Sequence, residues 1–305
     1  PPRSTLFPYT TLFRSVSMNE ESWFTIPDPV DAPSDDELTS YNVPTATYCD
    51  VKNKWTVTGN NRMIGRWDGQ GWTTWKLNPS VLSGGKLSDL KSEDSTRIWA
   101  LTYSKLFLLE AGRVVLEVPQ DRLGGRLLNL ETDEQGVVWV GTDKGLKTWD
   151  GEHFERPKLL GDSVAWEQER ILNLLRIGPT LAVIARSGKV WLIRDKRLHT
   201  VRYADGRPVL ASGVTSDREG NFWFVSQEEV PRILKLPAQT SDPVVEAFHF
   251  SDHVLRFGMT TREPLAGVGH NLHLGTPGGL FKLPLDQLET DGPKPEAYLQ
   301  KELVT

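Results

Sequence analysis

The chain has 305 residues, a formal net charge of -5, one cysteine and 11 tryptophans. An acidic balance with a pI near 5.8 argues against a nucleic-acid partner, whose phosphates call for a basic face. Cys49 by itself excludes a disulfide framework or a cysteine-built zinc site, and no apolar run reaches the roughly 18 residues that a membrane segment needs.

Residues 1–15, PPRSTLFPYTTLFRS, resemble a translated reading frame of a widely used sequencing-library adapter. They are expected to lie outside the fold, with the natural N-terminus missing and the chain a fragment. Residues 16–40 read as a leading strand and linker. Within them Ser22-Trp23-Phe24-Thr25 is similar to Gly71-Trp72-Thr73-Thr74, the last strand of a later unit, so it either pairs with the final unit or belongs to a preceding one.

From about residue 41 to 290 the sequence repeats itself. KLSDLKSEDSTRIW (Lys86 to Trp99) and RLLNLETDEQGVVW (Arg126 to Trp139) align without a gap, as do RILNLLRIGPTLAV (Arg170 to Val183) and LASGVTSDREGNFW (Leu210 to Trp223). With Trp55 upstream and His273 downstream, the anchor positions Trp55, Trp99, Trp139, Val183, Trp223 and His273 recur at about 40 to 50 residues. Each unit alternates apolar and polar residues, then turns at an acidic, Gly-bearing segment such as Asp133-Glu134-Gln135-Gly136. A β-rich VVWVGT follows, with hairpin turns at Lys144-Gly145 and Asp150-Gly151. The one short helix candidate is Leu285 to Glu289, after Pro284, and residues 291–305 read as a tail or last strand.

Four short strands per unit predict an all-β propeller of about six recognisable blades, whole or as a piece of a larger or tandem one. The physical reason is that a small four-stranded sheet cannot bury both faces alone, whereas radial stacking covers both and a Trp at a fixed place fills each inter-blade wedge.

The pattern D-x-x-G-x-x-W-V-G-T-x-x-G-L, Asp133 to Leu146, with weaker copies at Asp217 to Val225 and Leu272 to Phe281, resembles the two-component-regulator propeller repeat. That resemblance implies a periplasmic or extracellular ligand-sensing input domain, joined in its family to membrane and kinase or regulator modules that these residues do not contain. It also implies ligands such as oligosaccharides and contacts with neighbouring domains of a larger sensor protein.

A search for chemistry yields few candidates. His249 and His253, and His270 and His273, are spaced without a metal or catalytic signature, and no H-E-x-x-H, G-x-S-x-G or calcium loop occurs. The acids Asp94, Asp133 and Asp217 come one per blade and read as turn formers. No catalytic residue, metal or cofactor is assigned.

Lys86, Arg126 and Arg170 share one repeat position just before the strand expected to be innermost, and Asp89, Asn129 and Asn173 follow in register. Together they are the candidate ligand-binding set at a channel mouth, suited to a carbohydrate or small anionic or polar ligand. Leu210 breaks the cationic series. Trp166, in the loop Gly161 to Glu169, is the candidate exposed aromatic contact. Two other readings stay open: a propeller lyase or lactonase using His249, His253 or His270 in the central channel, and a protein–protein platform with an exposed apolar patch.

Overall fold

The computed structural model describes the strands lying between residues 16 and 76. From 87 to 288 it describes all residues except 94–95, 120–121, 123, 134, 161–167, 218, 229–231, 250–264, 269–270, 277–278 and 286–287. The adapter-like residues 1–15 and the tail 291–305 lie outside the described residues.

The chain divides into two compact units, Pro1–Arg122 and Leu123–Thr305. In the first, β1 (Val16–Met18) pairs with β2 (Trp23–Thr25), so the strand-like Trp23 segment finds its partner upstream. An antiparallel meander follows, of β3 (Ala46–Cys49), β4 (Lys54–Val57), β5 (Met63–Trp67) and β6 (Trp72–Lys76). The next contains β7 (Leu87–Ser92), β8 (Arg97–Thr102), β9 (Lys105–Glu110) and β10 (Arg113–Pro119).

The second unit holds three more four-stranded meanders. The first comprises β11 (Leu127–Thr132), β12 (Val138–Thr142), β13 (Gly145–Trp149) and β14 (Phe154–Glu155). The second comprises β15 (Ile171–Ile177), β16 (Thr180–Ala185), β17 (Val190–Arg194) and β18 (Arg197–Thr200). The third comprises β19 (Ala211–Ser216), β20 (Asn221–Ser226), β21 (Arg232–Pro237) and β22 (Glu246–His249). Then come β23 (Leu265–Val268), β24 (Asn271–Thr276) and β25 (Gly279–Pro284), a three-stranded sheet among the described residues. Of the helix candidate, only Leu285 and Leu288 are described, and Leu288 N–H donates to the Leu285 carbonyl at 3.4 Å. Within this unit the first strands β11, β15 and β19 lie side by side in sequence order.

Turn chemistry explains the local structure. The Asp133 Oδ1 accepts from the N–H groups of Gln135 (3.0 Å) and Val137 (2.9 Å), closing the loop between β11 and β12. Gly136 supplies the left-handed residue there, with φ of 78°. The second carboxylate oxygen of Asp133 reaches the Trp139 indole N–H at 3.1 Å. Asp217 repeats the device, accepting from Trp223 Nε1 at 2.7 Å and from Asn221 N at 2.9 Å. The acidic turns therefore also satisfy the one polar atom of the indole they precede.

The register corrects one anchor. Leu127 pairs with Thr142, Ile171 with Ala185 and Ala211 with Ser226, and each pair is followed by a one-residue bulge. Counting back from these pairs, the slot of Trp139 and Trp223 is held by Ala182, not Val183. The offset arises because Ile177 pairs directly with Thr180 around a tight Gly178-Pro179 turn, whereas Thr132 pairs with Val138 around the longer Asp loop. His273, opposite Ala266 and Lys282, keeps the slot in the last sheet.

The core lies between consecutive sheets. Trp139 and Leu146 pack against Leu174, Val183, Trp191 and Ile193 of the next sheet. On the far face of that sheet, Ala182 and Ile184 meet Phe222 and Phe224, whose rings stack at 6.2 Å and fill the volume that Ala182 leaves. Trp223 packs on Phe248, with centroids 5.7 Å apart. Trp149 on β13 and Trp191 on β17 are both buried. At roughly 1.5 to 3 kcal/mol for each large apolar side chain buried, these interfaces dominate the stability.

The connections between sheets also strap the next sheet. Leu160, between β14 and β15, pairs in parallel with Arg197 at the start of β18, through Leu160 N to Lys196 O (2.7 Å) and Leu198 N to Leu160 O (2.9 Å). Arg202, between β18 and β19, does the same beside Val244, ahead of β22.

Candidate functional site

In an antiparallel meander the start of the first strand and the turn between the second and third lie at one end. Three backbone bonds in the second unit mark that end: Asp143 N to Arg126 O (3.1 Å), Arg186 N to Arg170 O (2.7 Å) and Gln227 N to Leu210 O (2.8 Å). Arg126, Arg170 and Leu210 therefore occupy equivalent places on adjacent sheets, as the repeat predicts. Arg126 is exposed and Arg170 half-buried. Lys86 and Trp166 lie outside the described residues.

The polar positions three residues later sit just past the bulges, where Asp89 pairs with Leu101, Asn129 with Gly141 and Asn173 with Ile184. Asn129 is buried and its Nδ2 donates to the Ile171 carbonyl at 3.2 Å, joining β11 to β15 beside Arg170. Its Oδ1 is buried without a hydrogen bond, pressed against Gly141, where an added Cβ would stand 2.2 Å away. Asp89 Oδ1 accepts from Leu90 N–H at 2.8 Å and belongs to the first unit. Asn173 is half-buried on β15. The structure thus brings Arg126, Asn129, Arg170 and Asn173 together on neighbouring first strands.

Sequence reasoning missed the cations contributed by the turns at this end. Arg186 and Lys144 are exposed there, and Lys189 pairs with Glu169 at 2.8 Å. The residue after each second strand lies beside the start of the first, but it is Asp143, Arg186 and Gln227 in the three sheets, so no repeated residue type marked it. Lys147, on β13, has its ammonium pKa lowered, first by burial and then by the charge of Arg156. At the opposite end the turns carry Asp133, Asp150, Asp195, Asp217, Glu219 and Asp242. Both ends are mixed: Asp143 and Glu169 accompany the cations at the first end, and Lys196 and Arg197 accompany the acids at the other.

Of the histidines weighed for catalysis, His249 ends β22, the outermost strand of its sheet, opposite Arg232. His253 and His270 lie outside the described residues. Among the described residues no group of three or more His, Cys, Asp or Glu could hold a metal, and no helix is long and apolar enough to cross a membrane.

No protein-family model matches the chain, and no curated protein matches it by sequence. Solved structures do match. A catalytically inactive variant of virginiamycin B lyase from Staphylococcus aureus, with quinupristin, superposes with a TM-score of 0.59 at 15% identity, over 87% of each chain. The β-propeller domain of Myceliophteria thermophila Cps50 gives 0.59 at 13% identity, over 84% of this chain and 88% of that one. YCF48 bound to D1 peptide gives 0.58 at 14% identity, over 89% and 84%. The fold is a β-propeller. Identities this low establish architecture alone, and the same architecture serves a lyase and a peptide-bound propeller.

Proposed function

We propose that this chain is a non-catalytic binding propeller, the ligand-sensing or interaction domain of a larger extracytoplasmic signalling protein of the two-component type. The observation that supports it is the gathering of Arg126, Arg170 and Arg186 at one end of adjacent sheets by the backbone bonds of Arg170 and Arg126 to the neighbouring turns. Guanidinium forks in that arrangement suit an anionic or polyhydroxyl ligand, with Asn129 and Asn173 as flanking polar groups. The sensor assignment and the extracytoplasmic location rest on the repeat resemblance read from Asp133 to Leu146. A lyase-like centre has less support, since His249 lies on an outermost strand, away from the first strands.

The test is a binding screen of acidic and neutral oligosaccharides and small carboxylates by calorimetry, repeated with an Arg126→Ala/Arg170→Ala/Arg186→Ala variant. Loss of three charge-assisted contacts, at roughly 1.5 to 3 kcal/mol each, should weaken the selected ligand by at least about 1,000-fold. A hit bound equally well by the triple variant would remove the site.

A further inference from the structure

We propose that Tyr203, Arg207 and Arg232 form a second anion site, one that accepts a phosphoryl group and is occupied in the free protein by the Glu228 carboxylate. Tyr203 lies on the connection between β18 and β19, where Tyr203 N–H donates to the Arg207 carbonyl at 2.8 Å and Gly206 N–H to the Tyr203 carbonyl at 2.9 Å. This small hairpin brings Arg207 over the phenol ring, with Cζ 5.4 Å from the centroid. Arg232, the first residue of β21, approaches the same ring from the neighbouring sheet at 5.2 Å. Its backbone is fixed by the Ser226 hydroxyl, which accepts from Arg232 N–H at 2.8 Å.

Two carboxylates hold the guanidinium groups. Arg232 Nε donates to Glu228 Oε2 at 2.6 Å, and its Nη2 pairs with the same oxygen. Arg207 Nε donates to Asp205 Oδ2 at 2.7 Å. Tyr203 itself is only 8% exposed, and its Oη makes no hydrogen bond of standard geometry, although the Glu228 carboxylate lies close enough to interact with it. Burial, and then the Glu228 charge, raise the phenol pKa, so the hydroxyl keeps its proton and remains a donor at neutral pH.

The chemistry of this set exceeds what Glu228 can use. A carboxylate offers two oxygens, and here one of them takes both bonds from Arg232. A phosphoryl group offers three, matching the Arg232 fork, the terminal Arg207 nitrogens that the bond from Nε to Asp205 leaves over, and the Tyr203 hydroxyl. The Glu228 side chain keeps 27% of its surface exposed on the turn after β20, so it can rotate into solvent when a stronger anion arrives. The site is distinct from the Arg126 and Arg170 set and does not depend on it.

Inorganic phosphate is the probe, titrated by calorimetry and by 31P chemical shift at low ionic strength. Glu228→Gln removes the competing charge and should tighten phosphate binding by about tenfold. Arg232→Lys keeps the charge but loses the fork and should weaken it, as should Tyr203→Phe, which keeps the stacked ring and deletes only the donor. Lys158→Ala, an exposed cation outside the cluster, should leave it unchanged. No binding by either the natural protein or the Glu228→Gln variant overturns the proposal. So does equal affinity in both, or affinity unaltered by Arg232→Lys.

Discussion

A single carboxylate seats Trp139 and another seats Trp223. Trp223 is 2% exposed, so its indole N–H would be stranded without Asp217, whose two oxygens also accept from the backbone and side chain of Asn221. Replacing Asp217 with Ala should cost roughly 2 to 3 kcal/mol, the penalty for a buried donor deprived of a charged acceptor. Urea denaturation of the variant measures this, and a loss under about 0.5 kcal/mol would mean that the indole is satisfied elsewhere. The sheet β15–β18 supports the coupling from the other side. There a Gly178-Pro179 turn replaces the acidic loop, and the tryptophan is gone too, its slot held by Ala182.

Strands and turns were largely readable from the residues. DG and KG pairs between β-formers marked the hairpins, and the recurring Trp located the second strand of most sheets. The offset at Ala182 escaped because an ungapped overlay cannot register a loop shortened on one side of a hairpin. The equivalence of Arg126 and Arg170 was visible, since it follows from period alone. The bond from Asn129 to Ile171 was not, because it depends on how one strand's side chain meets its neighbour's backbone. The Tyr203 cluster was invisible for the same reason, being assembled from a connection, a turn and a strand.

That inter-strand contact is also testable. Gly141 has no left-handed φ, yet a Cβ there would meet Asn129 Oδ1 at 2.2 Å and Ile171 Cγ2 at 2.8 Å. Gly141→Ala should therefore destabilise by roughly 1 to 3 kcal/mol through overpacking. Combining it with Asn129→Ala removes the tighter clash, so the double variant should lose less than the two single losses added together. Strict additivity in equilibrium denaturation would count against this packing.

Across the molecule, loop carboxylates govern the response to acid. Burial raises the Asp217 pKa, but the bonds from Asn221 and Trp223 outweigh it, and the net value lies below the ordinary one. Backbone N–H donors at His153 and Glu152 lower Asp150, and those at Arg207 lower Asp205. A carboxylate with a depressed folded pKa contributes stability that is complete above its unfolded pKa and is lost as pH falls through the folded one. Melting temperature should thus hold steady from neutral pH to the upper edge of the carboxylate range, then drop below about pH 4. Asp217→Asn should flatten part of that drop, and an unchanged acid limb in this variant would assign the effect to other groups.

The parallel straps at Leu160 and Arg202 bear on how the protein behaves in a crowded solution. A sheet's last strand ordinarily offers a row of free amides and carbonyls to any passing chain, the usual starting point for aggregation. Here part of that row is already taken by the chain's own preceding segment, at β18 and just ahead of β22. Stacked neighbours shield the flat faces of these two sheets while the straps occupy part of their outer rims, leaving less open edge there for another chain to extend.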